Sequence, residues 1–295
     1  MRSAEEKALN AVQRPEAYRE VLIESGGLPI ALSVWEGSPT APAALFLPAT
    51  MTHPLFYEDF LDGLNRAGHT VVGLHPAAHG KSPRVPCRLN VELLVGNAVD
   101  ALTWMQSEFP DAPAVVLGSS QGGILALAVA ARVEGIDRVI AHNILDPDLP
   151  ATIGLTRVPL RFSRAYPGLR YAAHSLSRLV PNLPVPIGLY LDTRRVTGNP
   201  ETLRRFYTDP LGRRSYPLGL VAGLLDVDVT LPVGCPVVVL AASGDPLFPL
   251  AYTQEVFEKI DAPAKELMVV DAAEHLIFTE AVELVLPALL AKLTG

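Results

Sequence analysis

Cysteine is nearly absent from this chain of 295 residues, which holds only Cys87 and Cys235. The two lie far apart, each beside a proline, and neither has a neighbour at metal-ligand spacing. No disulfide framework, no metal and no cofactor are expected, and isolated thiols suit a reducing, cytoplasmic setting. Long apolar runs are missing too. The longest, residues 122–131, falls short of the roughly 18 residues that cross a bilayer and reads as a buried helix. Residues 1–7 are polar and lack the apolar core of a secretory signal. Positive charge is in deficit: lysine and arginine total 24 against 31 aspartates and glutamates. The net charge of −7 argues against a nucleic-acid partner. Neither an internal repeat nor a low-complexity tract occurs. What the chain has is hydrophobic bulk, 49% of its residues, enough for one large α/β domain with an insertion.

The order of elements follows from the apolar pattern. A short helix is expected over residues 5–13. Residues 19–24 and 28–35 flank Gly26-Gly27 as an antiparallel hairpin. Continuous apolar strands are expected at 43–47, 70–74, 114–117, 138–142, 236–241 and 266–270. Helices are expected between them at 57–67, 91–109, 121–133, 250–260 and 275–293. Unbroken apolar strands alternating with helices imply a mostly parallel sheet with helices on both faces, edged by the hairpin. The alternation stops after the sixth strand. Pro147, Pro150, Pro159, Pro167, Pro181, Pro184 and Pro186 break the next segment into short helices, with longer helical runs at 201–207 and 215–225. It overhangs the carboxyl edge of the sheet and reads as a helical lid. The expected organisation is a core over 1–145, a lid over 146–226 and the rest of the core over 227–295.

Gly118-Ser119-Ser120-Gln121-Gly122 joins a strand to a helix, in the pattern G-x-S-x-G. A serine at the apex of so tight a turn has strained backbone angles and an exposed hydroxyl, so Ser120 is the candidate nucleophile. Its alternative is a serine that caps the following helix. A serine hydroxyl attacks only if an imidazole takes its proton, and that imidazole needs a carboxylate to orient it. Outside the lid, His142 and His275 follow Ser120. His142 ends a core strand and reads as structural. His275 follows the last strand, at the edge that carries Ser120. The acid falls to Asp245 in Gly244-Asp245-Pro246, just past the preceding strand. Asp271 and Glu274 compete, but they are also placed to cap the last helix. An oxyanion hole needs two backbone N–H groups. One should come from Gln121 and the other from Ala49, Thr50 or Met51, in the loop after strand 43–47.

Five stretches carry a family likeness: Gly118 through Gly123, Tyr57-Glu58-Asp59, His75 through Ser82, Gly244-Asp245-Pro246 and Glu274-His275. The chain resembles the α/β-hydrolase superfamily of serine hydrolases, nearest its monoacylglycerol-lipase and lysophospholipase-like, serine aminopeptidase S33-type group. The resemblance spans nearly the whole chain except the lid. It implies the α/β-hydrolase fold, with Ser120, Asp245 and His275 as nucleophile, acid and base. Aligning Tyr57-Glu58-Asp59 puts Thr50 at the first oxyanion donor, with Gln121 the second. Two departures mark a divergent member. Pro48-Ala49 stands where the family has His-Gly, and His75 and Ala77 replace the Asp and Arg that brace the next loop. His79-Gly80-Lys81-Ser82 reads as structural, Gly80 turning the loop and Ser82 capping the residues after it.

The implied chemistry is acyl transfer to water from a carboxylic ester or thioester. Serine at the elbow argues against dehalogenase and epoxide-hydrolase chemistry, which need aspartate there. Met51, Leu155, Leu218 and Val221 are the candidate substrate-binding residues. The lid bears Arg157, Arg161, Arg164, Arg170, Arg178, Arg194, Arg195, Arg204, Arg205, Arg213 and Arg214 over an acidic body. That charge suits an anionic head group or peripheral contact with a lipid surface, or belongs to a solvated face with internal ion pairs. The same triad also serves acyltransferases, lyases and carbon–carbon hydrolases; a receptor that has lost turnover is the least consistent reading.

Overall fold

A computed structural model describes residues 10–293. Eight strands form its main sheet: β1 (Tyr18–Ser25), β2 (Leu28–Trp35), β3 (Ala43–Leu47), β4 (Thr70–His75), β5 (Ala114–Ser119), β6 (Arg138–His142), β9 (Val237–Ala242) and β10 (Lys265–Val270). A separate pair, β7 (Pro184–Pro186) and β8 (Ser215–Pro217), lies between β6 and β9 in the chain. The order across the main sheet is β1-β2-β4-β3-β5-β6-β9-β10. From β4 to β10 every neighbouring pair is parallel. β2 runs antiparallel to both β1 and β4, so the hairpin forms the antiparallel edge. The α/β-hydrolase expectation holds, and the burial pattern gives the reason. β3, β5 and β9 are buried along their whole length, as strands covered on both faces must be, whereas β1 alternates between exposed and half-buried positions. Gly26 and Gly27 take φ of 56° and 78°, the mirror-image turn a two-residue hairpin loop requires.

The helices fall into two packed groups. Glu58–Arg66 touches Ile277–Glu280 and Val282–Leu293, while Val91–Glu108 touches Gln121–Ala130. Two expectations are corrected, and one is tested only in part. The short helix expected at 5–13 lies outside the described residues up to Leu9, and Asn10 to Gln13 are turn and coil. The last helix does not start at His275: that residue sits in a loop, and the helix is split at Ala281, whose φ of −129° breaks the α conformation. Neither Asp271 nor Glu274 caps it, since the residue before Ile277 is Leu276 and no side chain bonds there.

Residues 143–236 leave the sheet and return to it. The segment is not a run of short helices only. Tyr166–Leu179 is a 14-residue helix, and its Pro167 lies in the first turn, where no N–H is needed. The two short strands were not expected, and β7 pairs antiparallel with β8. The helix expected at 215–225 therefore starts only at Leu218 and runs to Leu224. Pro200–Thr208 forms the other anticipated helix. Among the described residues no helix is long and apolar enough to cross a membrane. Cys235 is buried and Cys87 half-buried, and both are free.

Candidate active site

Ser120 sits between β5 and the helix Gln121–Ala130 with φ 52° and ψ −113°, a strained conformation for a residue with a side chain. Its N–H donates to the His142 carbonyl at 2.7 Å and its own carbonyl accepts from Gly123 at 2.8 Å, so the turn is held from both sides. Two glycines make the turn possible. A Cβ on Gly118 would lie 2.0 Å from the Gly122 carbonyl oxygen. A Cβ on Gly122 would lie 2.0 Å from the Leu47 oxygen, so that clash is with the end of β3. Ser120 does not cap the helix: its side chain makes no cap hydrogen bond.

The loops after β9 and β10 bring Asp245 and His275 to the same edge. His275 Nδ1 and Asp245 Oδ2 lie 2.9 Å apart, both side chains almost fully buried. Asp245 Oδ1 accepts from the Leu247 and Phe248 amides at 2.7 and 2.8 Å. Burial works to raise this carboxyl, but the hydrogen bond and charge of His275, then the Phe248 amide, outweigh it and hold the group below its usual range. An ionised Asp245 keeps the proton of His275 on Nδ1, which leaves Nε2 as the acceptor. The Phe248 ring stacks on the imidazole at 5.5 Å between centroids. Asp271 instead accepts from Ser243 Oγ, and Glu274 from the Ala273 amide; neither bonds a histidine.

Asn143 was not singled out from the sequence. It follows β6 with φ 56°, a conformation that asparagine tolerates better than most residues. Its Nδ2 donates to Asp245 Oδ2 at 2.6 Å and to His142 Nε2 at 2.7 Å. His142 thus braces Asp245 through Asn143. Burial, then the nearby charge of His275, lowers its imidazole to about 3, so it is neutral.

Ser120 and His275 face one cavity of about 150 Å³ with Thr50, Gln121, Leu155 and Val221. Of the four candidate substrate-binding residues, Leu155 and Val221 line it and Met51 and Leu218 do not: Met51 is buried behind Thr50, and Leu218 packs at the start of its helix. The amide N–H groups of Thr50 and Gln121 donate to no described residue, and Gln121 opens a helix, whose N-terminal end attracts negative charge. Polar side chains at the wall are mostly spent internally. Thr50 Oγ1 donates to Gln121 Oε1 at 3.1 Å, and Thr52 Oγ1 to the Ala49 carbonyl at 2.8 Å. The buried exceptions lining the cavity are Asn143 Oδ1 and the Tyr190 hydroxyl, which no described residue partners. Among the described residues no group of three or more His, Cys, Asp or Glu could hold a metal ion.

The loop after β4 is structural in an unforeseen way. Gly80 turns with φ 52°, but no helix comes directly after it for Ser82 to cap. Ser82 Oγ accepts from the Ala31 amide at 2.8 Å and donates to the His75 carbonyl, tying β2 to the end of β4. The inserted arginines are also largely structural. Arg195 donates to the Gly154, Pro246 and Leu247 carbonyls, Arg205 to Leu55, Arg213 to Ala78, and Arg170 pairs with Asp148.

The family described as serine aminopeptidase, S33, matches residues 42–282. A monoacylglycerol lipase of Mycolicibacterium smegmatis is 25% identical over 265 residues, 86% of this chain and 89% of that protein. The crystal structure of the Paleococcus ferrophilus monoacylglycerol lipase superposes with a TM-score of 0.70 at 23% identity, covering 90% of this chain and 98% of the other. A soluble variant of the Saccharomyces cerevisiae monoglyceride lipase, solved with a substrate analogue, gives 0.77 at 15% identity over 96% and 97%. Both structural likenesses are to the fold.

Proposed function

The chain belongs to the serine aminopeptidase S33 family of α/β-hydrolases, and from that premise we propose that it is a carboxylic-ester hydrolase working through Ser120, His275 and Asp245. The observation that carries the reading is that His275, bonded to Asp245 behind it, lines the same cavity as the strained Ser120. In the proposed cycle His275 Nε2 takes the Ser120 proton as Oγ attacks the ester carbonyl. The oxyanion is held by the Thr50 and Gln121 amides, and His275 returns the proton to the departing alkoxide. Water then repeats the sequence on the acyl-enzyme and releases the acid. Relatives named as monoacylglycerol lipases support lipid-like acyl esters as substrates, and so does a wall made mostly of leucine, valine and phenylalanine.

Residues 146–226 are proposed as the cap over this cavity, between core parts at 1–145 and 227–295. Residues 149–191 hold Arg157, Arg161, Arg164, Arg170 and Arg178 and no acidic residue, with only Arg170 ion-paired among the described residues, to Asp148 and Asp226 outside them, in a chain of net charge −7. Leu160, Tyr171, Leu179 and Leu189 are exposed there. Cationic and apolar together, this face suits peripheral contact with an anionic lipid surface.

The test is hydrolysis of p-nitrophenyl esters from acetate to palmitate by wild type and Ser120→Ala, with fluorophosphonate labelling of both. Turnover and labelling lost together in the variant support the reading. A wild type that is neither active nor labelled sinks it. Labelling without hydrolysis of any ester moves the chemistry to transfer or to a thioester, and product analysis with an added alcohol separates those.

A further inference from the structure

Met51 follows the proposed oxyanion donor Thr50 and has φ 62°, a left-handed conformation that residues with side chains rarely hold unaided. Both its backbone polar groups are taken by the inserted segment. Its N–H donates to the Tyr216 hydroxyl at 2.8 Å, and its carbonyl accepts from the Arg213 amide at 2.9 Å. Tyr216 belongs to β8, far from the sheet in sequence, yet is 1% exposed. A hydroxyl that accepts from an amide has its own proton to place, and His79 Nε2 lies 2.9 Å away to receive it. The other nitrogen, Nδ1, lies 2.9 Å from the Ala77 carbonyl, which fixes the proton there and leaves Nε2 bare. Burial keeps this imidazole neutral by lowering it to about 3. Arg213 Nη1 also donates to the Ala78 carbonyl at 2.9 Å, closing the ring between the loops after β3 and β4.

The peptide that carries the Met51 N–H is the one that leaves Thr50. Holding that N–H fixes the peptide on the far side of Thr50 and so restrains the one before it, which carries the free Thr50 amide. We propose that Tyr216, oriented by His79, is a positioning residue: it clamps Met51 in the left-handed conformation and so aims the Thr50 amide at the oxyanion. This rests on the ester-hydrolase reading. It makes the second strand of the insertion part of the catalytic support rather than only a cover.

Tyr216→Phe removes one oxygen and keeps the ring. Its kcat for a p-nitrophenyl ester should fall about tenfold or more, with KM held within about twofold, because an oxyanion contact is realised in the transition state. His79→Phe should fall in the same direction, and the double variant should be no worse than the poorer single one, since both act through one point. Amide hydrogen exchange of Met51, followed in the same proteins, judges the clamp without reference to turnover. It should quicken at least about tenfold in Tyr216→Phe. Unchanged exchange overturns the proposal, and so do fast exchange with unchanged kcat, or losses that add and fall on KM. A wild type inert toward every ester would count against the hydrolase reading, while the exchange arm still decides the clamp.

Discussion

The two halves of the insertion are built from similar residues and held in opposite ways. In residues 192–225 three arginines reach back to the core: Arg195, Arg205 and Arg213 end on the Leu247, Leu55 and Ala78 carbonyls, and Arg205 also lies 4.7 Å over the Phe56 ring. Asp209 pairs with His53 at 2.9 Å with both side chains buried, and Thr197 donates to Glu280 at 2.6 Å. In residues 150–191 large apolar side chains point outward, Leu179 at 79% and Leu189 at 69% exposure. That half is held by packing of Tyr166–Leu179 against Leu218–Leu224, by the Tyr166 hydroxyl on the Pro147 carbonyl, and by Arg170 on the same carbonyl and on Asp148. Arginine content alone does not tell a fixed cap from a free face. What separates them is where those partners lie: Arg195, Arg205 and Arg213 reach carbonyls of the core, whereas Arg157 reaches Gly188 in its own half and Arg170 reaches Pro147 and Asp148 at its start.

The largest test of this contrast is acid. His79, under the anchored half, and His142, which Asn143 links to Asp245, are both lowered by burial to about 3. Their unfolded forms take up protons near 6.5 while the folded forms stay neutral. Stability from these two is complete above that pH and is lost as pH falls toward 3. Each contributes about 1.4 kcal/mol per pH unit, so roughly 4 kcal/mol should be gone by pH 5. Urea unfolding at pH 7 and pH 5 measures it, and equal stabilities would break the account. Next comes Asp209→Ala, which strips the one hydrogen bond of buried His53 and should cost about 2–4 kcal/mol. A loss under about 1 kcal/mol would mean the anchored half is no better held than the other. Tyr190→Phe, at the seam, deletes a buried hydroxyl that no described residue bonds and should raise stability by about 1 kcal/mol. A lower melting temperature would show the hydroxyl is bonded after all. Smallest is Leu179→Ser with Leu189→Ser, expected to move stability by no more than about 0.5 kcal/mol. Retention on anionic vesicles should nevertheless fall, and unaltered retention would remove the lipid-contact reading.

The core was legible because its signals are local. Residues 43–47 are an unbroken apolar run and 138–142 centre on Val139-Ile140-Ala141, and they became β3 and β6 with those bounds. Asp245 and His275 were found because each comes directly after such a run. The insertion was harder to read. Its prolines suggested breaks, yet Pro167 sits in a first turn where proline fits. β7 and β8 are three residues long and hold Pro184, Pro186 and Pro217, too short and too atypical to carry an alternating pattern. Asn143, Tyr216 and the His53–Asp209 pair were invisible for another reason. Their partners lie 102, 165 and 156 residues away, and no spacing rule reaches that far.

The scarcity of sulfur has a practical side. Cys235 is buried, and burial raises its thiol, so it reacts poorly with electrophiles. Cys87 is half-buried in the coil after β4 and close enough to Arg213 to act on its charge. The unaltered chain thus carries one addressable attachment point for an environment-sensitive dye. It sits near Arg213, whose amide bonds the Met51 carbonyl, so fluorescence there can follow that grip in real time without a single engineered residue.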